Sequence, residues 1–236
     1  MTKKRREQIR QKSRTRSRQQ MLIIGAIVLV GVIAAVGATT YLGRQVSLPE
    51  GVSAAYTGLE QGFTSEGYPR LGRADAPIVV EDFSSFACPH CETLHESQIK
   101  SLLDSVADGH VQIIFKPVIS IGGDYAEDGA RAALCAGQQG KFWEMNDIVF
   151  YWRSRYSIND FRLEKAAEEI DLDADDLKAC YDSDSSEDLL RRSQGEFRSL
   201  GLTGTPSVYV DGQKLENPGE VVSVVQAKIS QLGSGG

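Results

Sequence analysis

Histidine and cysteine are both scarce in this sequence. There are three histidines, at 90, 95 and 110, and four cysteines, at 88, 91, 135 and 180. A structural zinc site takes four ligands, typically as two closely spaced pairs. Only Cys88 and Cys91 make such a pair, because Cys135 and Cys180 are 45 positions apart, so no metal is expected. Internal repeats and low-complexity blocks are also missing. Charge is absent from residues 21–42 (MLIIGAIVLVGVIAAVGATTYL), a run of 22 against the roughly 20 that cross a bilayer as a helix.

That run decides how the basic head is read. Residues 1–20 hold nine of the 26 Lys/Arg and one Glu, leaving 17 basic and 31 acidic residues downstream, a net −14. A basic arm can bind nucleic acid, but one followed directly by an apolar run is expected to be a cytoplasmic arm (1–20) before a single transmembrane helix (21–42). The positive-inside rule then places residue 43 onward outside the cell membrane. Val36-Gly37-Ala38 would serve as a signal-peptidase site, yet the run exceeds an h-region of roughly 7–15 residues, which favours an uncleaved anchor. The acidic stretches at 171–176 and 182–188 are expected to be solvated faces.

The remainder has ordinary globular composition. Residues 43–75 are rich in Gly, Ser, Glu and Pro and lack a lasting apolar period, so they are expected to be a linker with one short helix near 52–61. Residues 76–232 are expected to be one α/β domain, with 233–236 as a tail. Within it, 77–83 reads as a buried strand and 111–117 as another, and the apolar positions between Cys91 and Val106 have helical spacing. Helical signals fill an insert at about 124–200, with Trp143 and Trp152 as its core. Ser207–Val210, Asp211-Gly212 and Gln213–Leu215 read as a hairpin, and 218–232 as a closing amphipathic helix.

Cys88-Pro89-His90-Cys91 sits where the first strand gives way to a helix. A disulfide across three residues closes almost no loop and stabilises little, which favours a redox pair over a structural staple. Pro89 suits the first helical turn, placing Cys88 against unpaired backbone N–H groups and the positive end of the dipole. A thiolate is favoured there, and His90 adds a local donor. Cys91, one turn in, is expected to be shielded.

With Thr205-Pro206 ahead of a later strand, this pattern resembles the DsbA-like thiol:disulfide oxidoreductases of the thioredoxin-fold superfamily, in their membrane-anchored bacterial form. The resemblance covers roughly 68–232 and includes Gly140-Lys141-Phe142-Trp143 and Gly201-Leu202-Thr203-Gly204-Thr205-Pro206. It implies Cys88 as the exposed nucleophile, Cys91 as its buried partner and Pro206 as a cis-proline that offers the Thr205 backbone to a substrate strand. Asp82 matches the family's buried acid, with Glu81 the alternative if the register shifts by one. Cys135 and Cys180 are either inert buried thiols or a structural disulfide; the compartment and the resemblance favour the disulfide. His95 is expected to be a solvated surface histidine. The implied function is introduction of disulfides into exported unfolded proteins by exchange, without metal or organic cofactor. A DsbB-like or VKOR-like membrane partner would restore the disulfide. A disulfide isomerase or reductase, and a non-catalytic substrate-binding module, are the alternatives.

Overall fold

The computed structural model describes Met21, residues 24–34, Gly37 and residues 46–234. The basic arm lies outside the described residues, and the 21–42 run is described only in part, helical over 24–34. Among the described residues no helix is long and apolar enough to cross a membrane. A separate compact unit begins at Leu48 and holds all of the predicted α/β domain.

The centre of this unit is β3 (Ile78–Ser84), running parallel to β4 (Val111–Pro117) in the register Val80↔Ile113 and Asp82↔Phe115. Both strands are largely buried on two faces, as expected of parallel strands covered by helices on each side. β5 (Ser207–Val210) adds antiparallel to the other edge of β3, pairing Phe83 with Ser207. It turns through Asp211 and Gly212, both at positive φ, into β6 (Gln213–Lys214).

Residues 46–75 are more than the expected linker. α1 (Val52–Ala55) is followed by β1 (Gln61–Phe63) and β2 (Pro69–Leu71), a hairpin that joins β4 antiparallel and completes a six-stranded sheet, β1-β2-β4-β3-β5-β6. Three-residue strands are too short to show a period, and one buried position here is Arg70, bonded to Glu60. Gly72, next after β2, is fixed by its surroundings: φ is +94° and a Cβ there would lie 2.5 Å from the Val111 carbonyl oxygen.

The connection from β3 to β4 starts with α2 (Pro89–Leu94), then widens into a π turn over His95–Ile99 and tightens through Lys100–Leu102 into α3 (Leu103–Ala107). The helical insert comprises α4 (Asp124–Gln138), α5 (Phe142–Trp152), α6 (Asp160–Ile170), α7 (Ala174–Tyr181) and α8 (Glu187–Ser199). Trp143 and Trp152 are fully buried in it. Asn159 and Asp173 cap α6 and α7 by accepting from Arg162 N–H and Asp176 N–H, the usual use of short polar side chains at helix starts. α9 (Val221–Ser234) closes the unit.

Cys135 on α4 and Cys180 on α7 form a disulfide with Cα atoms 5.6 Å apart. Closing a loop of 45 residues stabilises by about 4 kcal/mol on chain-entropy grounds. Replacing both residues by Ser is expected to lower unfolding free energy by up to about that amount, read from the urea midpoint, while the Cys88–Cys91 pair still reacts with a thiol probe after reduction.

Candidate active site

β3 ends at Ser84, and Ser85–Ala87 form a tight turn into α2, with Cys88 N–H donating to Ser85 C=O at 3.0 Å. Cys88 is the N-cap residue, extended at φ −88° and ψ 121°, with Pro89 at the first helical position. Gly122 packs so closely against this turn that a Cβ would fall 2.1 Å from Ala87 Cβ, so only glycine admits the approach.

Cys88 and Cys91 are both present as thiols. Cys88 is 7% exposed and Cys91 is wholly buried. Cys88 Sγ lies 3.3 Å from the Thr205 carbonyl oxygen, and the Thr205–Pro206 bond is cis. Ser85 N–H donates to Cys91 Sγ at 3.4 Å. The two sulfurs differ sharply in acidity. The Cys91 thiol donates to Cys88 and, with the backbone N–H groups of Cys91 and His90, outweighs burial and lowers the Cys88 pKa to about 5. Burial first, then that same hydrogen bond and the Asp82 carboxylate, push Cys91 far above an ordinary thiol. At neutral pH the reduced pair is one thiolate and one thiol.

Asp82 is 3% exposed; Ser84 Oγ–H donates to its Oδ1 at 2.5 Å. Burial raises its pKa to about 6, against the Ser84 hydrogen bond and the charge on His95. Strand alternation sends Glu81 to the opposite face, where it pairs with Lys116 at 2.7 Å, so the register places Asp82 on the dithiol side. His90 has an exposed side chain; what it gives Cys88 is its backbone N–H. It lines a hollow of about 350 Å³ with Thr93, Leu94, Thr205, Pro206 and Asn217, next to the sulfurs.

His95 differs from expectation. It is 1% exposed, its Nε2 is 2.5 Å from Asp147 Oδ1, and its ring stacks on Phe150 with centroids 5.3 Å apart. It stands four residues after Cys91 and shares that residue's inward face, a signal available in the sequence. The partner that makes its burial tolerable, Asp147, lies 52 positions downstream and carries no such signal. The cluster His95, Glu96 and Asp147 has metal-ligand spacing, but Lys100 Nζ bonds both carboxylates, 2.9 Å from Glu96 and 2.9 Å from Asp147. An ammonium already stands where a cation would.

The thioredoxin family model matches residues 64–227. The probable disulfide bond formation protein D of Bacillus anthracis is 25% identical over 211 residues, covering 86% of this chain and 93% of that protein. This chain belongs to the thioredoxin family, among its DsbA-like thiol:disulfide oxidoreductases. The Na(+)/H(+) antiporter NhaA 3 of Salinispora tropica is 26% identical over 165 residues, 69% of this chain, which spans only 24% of that longer protein. The fold of oxidised BdbD from Bacillus subtilis superposes with a TM-score of 0.62 at 18% identity, covering 73% of this chain and 98% of that one.

The acidity of this oxidoreductase's two thiols sets a pH dependence. With the Cys88 pKa depressed, the extra stability of the reduced state is complete above the ordinary thiol pKa and is lost as pH falls toward 5. Reduction takes up one proton above pH 5 and two below it, and each proton contributes about 30 mV per pH unit in a two-electron couple. The potential should therefore slope by about 30 mV per unit from pH 5 to 8 and about 60 mV below. Thiolate absorbance at 240 nm should titrate near pH 5. A slope of about 60 mV throughout would mean two ordinary thiols.

Proposed function

We propose that this oxidoreductase works as an oxidase, passing the Cys88–Cys91 disulfide to exported proteins that carry cysteine pairs. What carries the reading is the opposite pull on two neighbouring thiols, Cys88 lowered to about 5 and the wholly buried Cys91 pushed upward. Stabilising one thiolate stabilises the dithiol state, and a dithiol favoured over its disulfide makes the disulfide an oxidant.

The chemistry is thiol–disulfide exchange. A substrate thiolate attacks Cys88 Sγ, the Cys88–Cys91 bond breaks, and the electron pair leaves on Cys91, which takes up a proton because burial disfavours its anion. Asp82, acidic near pH 6 and buried below the pair, is the group proposed to hand that proton over. A second substrate thiolate attacks the substrate sulfur of the mixed disulfide and expels Cys88, a good leaving group because its anion is stabilised. Two substrate thiols become a disulfide and the enzyme disulfide becomes a dithiol. Pro206 and the Thr205 backbone border the Cys88 sulfur and are proposed to align an extended substrate segment beside it.

The uncharged run at 21–42 after nine basic residues supports a single-pass anchor with the amino terminus in the cytoplasm and the catalytic unit outside. The relatives described as disulfide bond formation proteins support the extracytoplasmic setting. In that setting the dithiol would be re-oxidised by a membrane partner of the DsbB or VKOR type, the protein itself needing no organic cofactor.

Oxidative refolding of reduced ribonuclease by the oxidised protein tests this directly. Wild type should restore activity and Cys88→Ser should not, while Cys91→Ser first loaded at Cys88 with oxidised glutathione should exchange glutathione for one ribonuclease cysteine, visible as a mass adduct. Support for insulin reduction without ribonuclease oxidation would assign the protein to the reductases, and equal behaviour of wild type and Cys88→Ser would leave a binding module.

A further inference from the structure

The segment between Leu48 and Glu60 lies upstream of the region that matches the family, yet it reaches the active-site helix. Tyr56, which follows α1, is 3% exposed. Its hydroxyl donates to Asp147 Oδ1 at 2.8 Å. The same carboxylate oxygen is 2.5 Å from His95 Nε2, and its other oxygen is 2.9 Å from Lys100 Nζ. Asp147 is 1% exposed. Burial pushes its carboxyl up, but His95 and Lys100 more than offset this and hold it below the usual carboxylate range. Three separate parts of the chain thus meet at one buried carboxylate.

The meeting point is connected to the reacting sulfurs through the backbone. His95 N–H donates to the Cys91 carbonyl, and also to that of Glu92, so whatever fixes His95 fixes the turn that carries Cys91. The fixing is needed at this place. His95 begins the π turn His95–Ile99, a wide turn that is rare and held in proteins mainly at functional sites. Its ring nitrogen Nδ1 is buried with no hydrogen-bond partner among the described residues, so Nε2 alone orients the ring by hydrogen bonding. The face of the ring rests on Phe150, which in turn packs on Phe86 at 4.8 Å, two residues before Cys88.

We propose that Tyr56, Asp147 and His95 form a positioning relay for the redox pair. Tyr56 and His95 share the Asp147 carboxylate, Asp147 sets the His95 ring, and His95 holds the Cys91 backbone so that the Cys91 thiol stays aimed at Cys88. None of the three touches substrate. The segment ahead of the family domain is by this relay part of the support for the chemistry rather than a spacer. Loosening it lets the Cys91 thiol drift from the Cys88 sulfur, removes part of what stabilises that thiolate, and makes the disulfide a weaker oxidant. The inference rests on Cys88 and Cys91 being the redox couple.

The test is the equilibrium of the full chain with reduced and oxidised glutathione, measured together with thermal unfolding and the 240 nm titration. Tyr56→Phe deletes one oxygen atom and should lower the equilibrium constant for reduction at least threefold. His95→Leu should lower it about tenfold, equivalent to about 30 mV. In both variants the Cys88 thiolate should titrate at higher pH than in wild type. His95→Gln keeps an N–H able to reach Asp147 and should stay within twofold of wild type. The double variant Tyr56→Phe/His95→Leu should be no worse than His95→Leu alone, because both act through one carboxylate. Lower melting temperatures with an unchanged constant in Tyr56→Phe and His95→Leu would overturn the relay and leave a structural contact. Should His95→Leu not fold, Tyr56→Phe decides by itself. If wild type shows no reversible couple with glutathione, it is the assignment of the couple that fails.

Discussion

One constraint organises this protein: two thiols three residues apart share one corner of the fold, Cys91 wholly buried and Cys88 beside it at the helix start. It draws the acidity of two chemically identical groups apart, lowering Cys88 to about 5 and forcing Cys91 well upward. Neither residue could do this on its own. Cys88 is enclosed enough that burial opposes its ionisation, and the neighbouring donor more than offsets that opposition. Much of the surrounding architecture keeps the donor in place. Ser85 N–H holds the Cys91 sulfur from one side, Gly122 lets the next loop close over Ala87, and Thr205 caps Cys88 from across the sheet.

The sheet beneath adds a second asymmetry. Glu81 and Asp82 are neighbours in sequence, and the two-residue period of a strand sends them to opposite faces. On one face Glu81 meets Lys116, which also bonds Glu196 and lies 5.0 Å from the ring centres of Tyr68 and Phe83. On the other, Asp82 is answered by a hydroxyl rather than an ammonium and is left poised near pH 6. An acid compensated by a close cation would stay ionised through the physiological range. Asp82, compensated less, is poised to exchange a proton there.

The parts of this arrangement legible in the sequence are those that local rules decide. The strand–turn–helix around Cys88, the capped helices of the insert and the Asp211-Gly212 turn each follow from residue type and spacing within a few positions. The β1–β2 hairpin was not legible, because its three-residue strands show no period and its buried set includes Tyr68 and Arg70. The burial of His95 was half legible. Its place four residues after Cys91 puts it on the inward face, but a histidine belongs there only if something distant answers it. Tyr56 and Asp147 are 91 positions apart, and no local pattern joins them to each other or to His95. Long-range polar pairing is where reading by periodicity stops.

The two cysteine pairs show how placement alone gives one chemical bond opposite uses. Joining Cys135 to Cys180 closes a loop of 45 residues, so reduction would return a large conformational freedom to the unfolded chain. Joining Cys88 to Cys91 closes almost nothing, so little chain entropy guards that bond. In the dithiol state Cys88 lies by the backbone N–H groups of Cys91 and His90, and Cys91 accepts from Ser85 N–H. The first bond is guarded by the loop it closes; the second has no such guard. The two pairs thus differ in what guards them: the loop that Cys135–Cys180 closes has no counterpart at Cys88–Cys91, where the acidity of the thiols is what the fold adjusts.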